Sequence, residues 1–152
     1  MDADELITDL YNALDDGDLI TAGTLLDAGA DPNCVHPLFS SSCLHAAWVG
    51  AGLDGVRLLA ERGVDPSPIL LWVALNDEPR QLTELIRLGA DPDFADDGGW
   101  TALHRVAAYG YVASARALLE SGAQRDVRTS TGLTAADLAR TNHHLELTAL
   151  LT

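Results

Sequence analysis

The chain has 152 residues, enough for a domain with a buried core, and 47% of them are apolar. Nine basic residues, all of them Arg, face 23 acidic ones, for a net charge of −14. Charge of that sign repels phosphate backbones and anionic membrane surfaces, so no direct nucleic-acid or membrane binding is expected.

The first residues, Met1-Asp2-Ala3-Asp4-Glu5, are acidic where a secretory signal is basic. Apolar spacing then predicts helices over 3–14 and 19–28, ended by Gly29-Ala30-Asp31-Pro32. Two cysteines follow, Cys34 and Cys43. A single pair makes no disulfide framework, so reduced thiols in a cytosolic protein are expected. Cys34, His36, Cys43 and His45 suggest zinc by composition, but their spacing matches no zinc pattern, and no metal is expected.

The next helices are expected at 43–50 and 53–62, before Gly63-Val64-Asp65-Pro66. Between them, Gly50-Ala51-Gly52-Leu53-Asp54-Gly55 matches the dinucleotide fingerprint G-x-G-x-x-G. No strand–helix alternation builds a parallel sheet around it, so it reads as a loop between helices. Ser67-Pro68 opens a helix over 68–76, with Ser as cap and Pro at the first helical position. Its partner, 79–88, ends at Gly89-Ala90-Asp91-Pro92. The run from Asp91 to Gly99 resembles half a calcium loop, but Ala102 stands where the bidentate Glu belongs. Helices over 102–109 and 112–121 precede Gly122-Ala123-Gln124-Arg125. A last pair, 135–142 and 144–151, closes the chain, with His143-His144 at its turn. No apolar run approaches the roughly 18 residues of a membrane span. No nucleophile elbow, H-E-x-x-H or phosphate loop appears, and no catalytic residue or cofactor is assigned.

The four glycine markers stand 34, 26 and 33 residues apart. A second marker, Leu44-His45-Ala46-Ala47, recurs as Leu103-His104-Arg105-Val106-Ala107. Ser42, Thr101 and Thr134 sit where helix N-caps belong. Gly29, Gly63, Gly89 and Gly122 sit where left-handed C′ residues belong. In this register Ser42-Cys43-Leu44-His45-Ala46-Ala47, Thr101-Ala102-Leu103-His104 and Thr134-Ala135-Ala136-Asp137-Leu138-Ala139 resemble the ankyrin-repeat family, whose signature is T-P-L-H-x-A with a period of about 33. The family Pro is replaced by Cys43, Ala102 and Ala135.

The resemblance implies an all-α solenoid of about five helix–turn–helix repeats, near 3–33, 34–67, 68–95, 96–128 and 129–152, in a single domain 1–152. The third repeat is short and should lack its β-turn finger, which would expose the N-terminal end of its first helix.

The resemblance also implies protein binding through the fingers and the first helix of each pair. Helical spacing puts Arg105 and Tyr109 on the side opposite Leu103, Ala107 and Gly110. The equivalent positions are Trp72 and Asn76, Ala46 and Gly50, and Asn12 and Asp16. The candidate face therefore holds Phe39, Trp72, Trp100, Arg105 and Tyr109, rimmed by Asp15, Asp16, Asp93, Asp96 and Asp97. Trp, Tyr and Arg are the types enriched in binding hot spots. The competing expectation is that Trp72 and Tyr109 fill gaps between repeats as core; Trp48 reads as packing.

An acidic rim calls for a partner with a basic face, although net charge also serves solubility alone. A small, Lys-free, acidic repeat protein resembles bacterial members of the family, some of which act as immunity partners in toxin systems. The resemblance thus implies a non-catalytic, monomeric, cytosolic inhibitor that covers the basic cleft of a toxic enzyme such as a nuclease. The alternatives are a general adaptor or scaffold and, more remotely, a nucleotide-binding enzyme acting through Gly50–Gly55.

Overall fold

The structure is a computed structural model, and it describes residues 3–36, 38 and 40–152. Nine helices form among the described residues: α1 (Ala3–Asp15), α2 (Leu19–Asp27), α3 (Cys43–Ala60), α4 (Ser67–Val73), α5 (Pro79–Arg87), α6 (Ala102–Tyr109), α7 (Val112–Glu120), α8 (Ala135–Thr141) and α9 (Leu145–Leu151). The class is all-α, as expected. Helix α3 is two helices joined end to end, because Gly52 (φ 59°, ψ −134°) breaks it where the hairpin of that repeat belongs. The four marker glycines all have φ between 87° and 105°, a region that carries no steric penalty only for glycine. The chain divides into two compact units, Met1–Pro66 and Ser67–Thr152.

In the first unit α1 packs on α2 and α3. Leu10, Leu14, Ala22, Val56 and Leu59 are fully buried there. The G-x-G-x-x-G segment is explained by this packing. A Cβ on Gly50 would collide with the backbone oxygens of Leu14 and Asp15, and one on Gly55 with that of Ala47. Both glycines let backbone meet backbone inside the unit.

The first finger runs from Cys34 to Cys43 and is closed by an antiparallel bridge between Val35 and Ser42. The Cys43 N–H donates to the Cys34 carbonyl at 2.9 Å. This pairing sets the two Cα atoms 5.4 Å apart, within disulfide range, and the cysteines are bonded. The expectation of reduced thiols is therefore corrected. The bonded pair also takes both sulfurs out of any Cys/His metal set.

In the second unit α4, α6 and α8 form one layer and α5, α7 and α9 the other. Leu70, Leu82, Leu85, Leu103, Leu118 and Leu147 fill the space between them and are almost wholly buried. Each contributes about 1.5–3 kcal/mol of transfer free energy. The N-caps form as expected. Thr101 Oγ1 accepts the His104 N–H and Thr134 Oγ1 accepts that of Asp137, each within a capping box.

One cap differs. Ser67 opens α4 itself, and its buried hydroxyl accepts the Asp91 N–H at 2.8 Å, fastening the next glycine-marker loop. Pro66 leads straight into that helix, so the third repeat has no finger. His143 takes φ 63° in the turn before α9, and His144 Nε2 lies 3.1 Å from the Ala108 carbonyl.

Candidate protein-binding face

The finger of the fourth repeat is closed by a bridge between Ala95 and Thr101. Asp96 is its keystone. One carboxylate oxygen accepts the Gly98 N–H at 2.9 Å and the Trp100 N–H at 3.0 Å. The other meets Arg105 Nη2 at 2.7 Å. The Trp100 N–H, desolvation working against it, the Gly98 N–H and Arg105 together hold the Asp96 carboxyl below its ordinary range. It is ionised at neutral pH. Gly98 and Gly99 make the tip of the turn, where a Cβ on Gly99 would collide with Ser130 N. The Ser130 N–H donates to the Gly98 carbonyl, which ties this finger to the turn of the fifth repeat.

Arg105 rises from α6 under the finger. One bond joins it to Asp96, and its Nε–H is sealed from solvent with no acceptor. Two adjoining hollows of about 370 and 430 Å³ open around this pair. Both are lined by Leu75, Asp96 and Arg105. Trp100, Ala108 and Tyr109 complete the first, and Leu71 and Trp72 the second.

The structure thus brings Trp72, Asp96, Trp100, Arg105 and Tyr109 to one cleft. Trp72 is 54% and Tyr109 56% exposed, so neither is core, which corrects the competing expectation. The exposed ring of Tyr109 lies parallel to that of Tyr111, centroids 5.5 Å apart, and is held by it. Trp100 leans on the buried His104 ring at 6.2 Å.

The other expected residues fall elsewhere. Asp97 is exposed on the finger itself. Asp93 lies in the marker loop, where its Oδ1 accepts the Gln124 N–H at 2.8 Å, so it links repeats. Asp15 and Asp16 are exposed at the end of α1 in the first unit. Phe39 lies outside the described residues. Ala46, at the register position of Arg105, is buried and offers no surface.

Sequence reasoning missed Leu71, Leu75 and Ala108. Leu71 and Leu75 are four apart beside Trp72, and that spacing was the available signal.

Comparison with known proteins fits this architecture. Residues 70–152 match a family model described as ankyrin repeats in three copies. The chain belongs to the ankyrin-repeat family. It is 40% identical to Protein PhlB of Serratia liquefaciens over 85 residues, 53% of this chain and 37% of that protein. It is 34% identical to Ankyrin repeat domain-containing protein 39 of Homo sapiens over 99 residues, 64% of this chain and 46% of that protein. Neurogenic locus notch homolog protein 1 of Danio rerio is 36% identical over 119 residues, 72% of this chain but 5% of that protein. The chain therefore spans less than half the length of each of these relatives. Ankyrin repeats are a protein–protein interaction module. No helix among the described residues is long and apolar enough to cross a membrane.

Proposed function

We propose that this ankyrin-repeat protein is a non-catalytic inhibitor that binds and neutralises one basic protein partner, of the kind represented by a bacterial toxic enzyme such as a nuclease. The observation that carries the reading is the aromatic cleft of the second unit, with Trp72, Trp100 and Tyr109 gathered around the Asp96–Arg105 pair. Aromatic anchors in a partly desolvated hollow are where binding energy concentrates.

The charge supports a basic partner. The first unit carries two arginines against twelve acidic residues, a net of −10, and the second seven against eleven, a net of −4. A field of that sign steers a basic surface into encounter and slows wrong partners. The protein acts in the cytosol, as a monomer until it meets that partner, through its fingers and first helices.

The test is co-expression with the product of the neighbouring gene and capture from the native host. A Trp100→Ala, Tyr109→Ala double variant runs beside it. One dominant basic partner, lost with the double variant, together with protection from that partner's toxicity, is the expected result. Several modest-affinity partners and no protection would replace this reading with a general adaptor.

A further inference from the structure

We propose that the cleft beneath the fourth-repeat finger takes a short proline-rich segment of the partner, laid across it in the extended polyproline conformation. This names the segment that fills the site of the functional reading above and rests on that reading.

The cleft is rich in hydrogen-bond donors and poor in acceptors. The Arg105 guanidinium carries five N–H groups, and the one bond it makes runs from Nη2 to Asp96. Its Nε–H is sealed from solvent without an acceptor, and its Nη1 makes no hydrogen bond among the described residues. The Trp100 indole N–H and the Tyr109 hydroxyl, on two more residues of the first hollow, make none there either. Asp96 is the one carboxylate among the described residues lining either hollow. The Gly98 N–H, the Trp100 N–H and Arg105 already occupy it, which leaves about one of its roughly four acceptor sites.

Charge then narrows the occupant. A cation would bring donors where acceptors are taken and would sit beside a guanidinium of its own sign. A carboxylate would accept from Arg105 but meet Asp96, 2.7 Å from the same guanidinium, in a unit of net charge −4. Neutral carbonyl oxygens meet the donors with neither conflict.

The walls select proline. Trp72 and Tyr109 each expose more than half their surface, and Trp100, Leu71 and Leu75 complete an apolar lining. An ordinary extended segment brings one N–H for every carbonyl, and each N–H buried here without an acceptor opposes binding. Proline has no N–H. Its ring packs into aromatic-lined grooves, and the polyproline conformation leaves its carbonyls unpaired and is set before binding. The two hollows adjoin between α4 and α6, neighbours in one layer. Packed helix axes lie about 8–10 Å apart, so about three residues at ~3.1 Å each cross the cleft.

The test is a titration of the full chain followed at the Trp72 indole N–H resonance. The probe is acetyl-Gly-Pro-Pro-Pro-Pro-Gly-amide. Beside it run acetyl-Gly-Ala-Ala-Ala-Ala-Gly-amide, which restores the N–H groups, acetyl-Gly-Ala-Asp-Ala-Ala-Gly-amide as the anion and acetyl-Gly-Ala-Arg-Ala-Ala-Gly-amide as the cation. A saturable shift is expected with the proline peptide, and binding about tenfold weaker or less with each of the others. Tyr109→Phe keeps the ring stacked on Tyr111 and removes a hydroxyl that makes no hydrogen bond among the described residues, so folding is untouched. It should weaken the proline peptide about two- to tenfold.

The absence of a saturable shift overturns the inference. So does equal or tighter binding of the alanine, aspartate or arginine peptide, or an undiminished affinity in Tyr109→Phe. A basic partner captured by the whole protein while the proline peptide fails would leave the functional reading standing and sink the proline segment alone. A proline peptide that binds where no basic partner is found would do the reverse.

Discussion

His104 provides the sharpest test of how the second unit holds together. Its ring is 1% exposed and spans two elements. Nδ1 receives the Thr101 N–H at 3.2 Å, which completes the cap of α6. Nε2 lies 3.1 Å from the Val127 carbonyl and 3.2 Å from that of Leu133. Two acceptors at Nε2 and a donor at Nδ1 define one neutral tautomer, with the proton on Nε2.

Replacing His104 with Gln leaves a side chain that can reach back to the cap but not onward to residues 127 and 133. The single Nε2–H that these two carbonyls share loses about 1–1.5 kcal/mol of hydrogen bonding, and lost ring packing adds about as much again. The expected cost is about 2–3 kcal/mol, a large part of an ordinary stability of roughly 5–15 kcal/mol.

The pH dependence carries an independent signature. Burial pushes the His104 pKa below 6.5, while the two carbonyls and Asp96 oppose the shift without reversing it. In the unfolded chain the ring titrates near 6.5. Below that pH the unfolded state therefore binds the extra proton first. Stability contributed by His104 is present in full above pH 6.5 and declines as pH falls from 6.5 toward the folded pKa, at up to about 1.4 kcal/mol per pH unit. The assay is urea unfolding of the parent and His104→Gln at pH 7.5, 6.5 and 5.5. The gap between them should narrow on acidification. A gap that widens, or stays constant across that range, would refute the neutral, bridging histidine.

Three further outcomes follow from other parts of the molecule. The Cys34–Cys43 bond closes ten residues, for which chain entropy gives about 3 kcal/mol, so a reductant should lower the melting temperature of the parent and leave Cys34→Ser, Cys43→Ser unmoved. Gly50→Ala drives a methyl into the Leu14 and Asp15 carbonyls and should cost more than about 1 kcal/mol, whereas saturating nicotinamide or flavin nucleotide should not shift the melting curve of the parent. Asp96→Asn keeps an acceptor for the finger N–H groups but frees Arg105; with both partners part-exposed the stability loss should stay near or below about 1 kcal/mol, while hydrogen exchange at Gly98 and Trp100 accelerates.

What was legible in the chain was local chemistry repeated in register. Thr101 and Thr134 announce caps because a hydroxyl before an apolar helical run has one role to play, and Gly63 and Gly89 announce helix ends because few other residues accept φ near 90°. Arg105 and Tyr109 could be placed on one side of α6 from a spacing of four alone.

The cleft was only half legible, because its other wall depends on which residues the missing third finger leaves uncovered. Trp72 reads equally as core or surface in the sequence; α4 starts at Ser67 and leaves it 54% exposed.

The disulfide was not legible at all. Nine residues of separation is neutral until the Val35–Ser42 bridge draws the ends together. That bridge has a counterpart, one residue shorter, in Ala95–Thr101. Where the later finger has Asp96, receiving two N–H groups and Arg105, the earlier one has His36. The His36 Nδ1 accepts the Leu38 N–H at 3.2 Å, and its ring meets Tyr11 edge-on at 4.7 Å. The later finger is thus fastened by charge at its turn, the earlier by a covalent bond at its base. A finger held by charge answers to salt and pH, and one held by sulfur answers to thiols, so the two should loosen under different conditions.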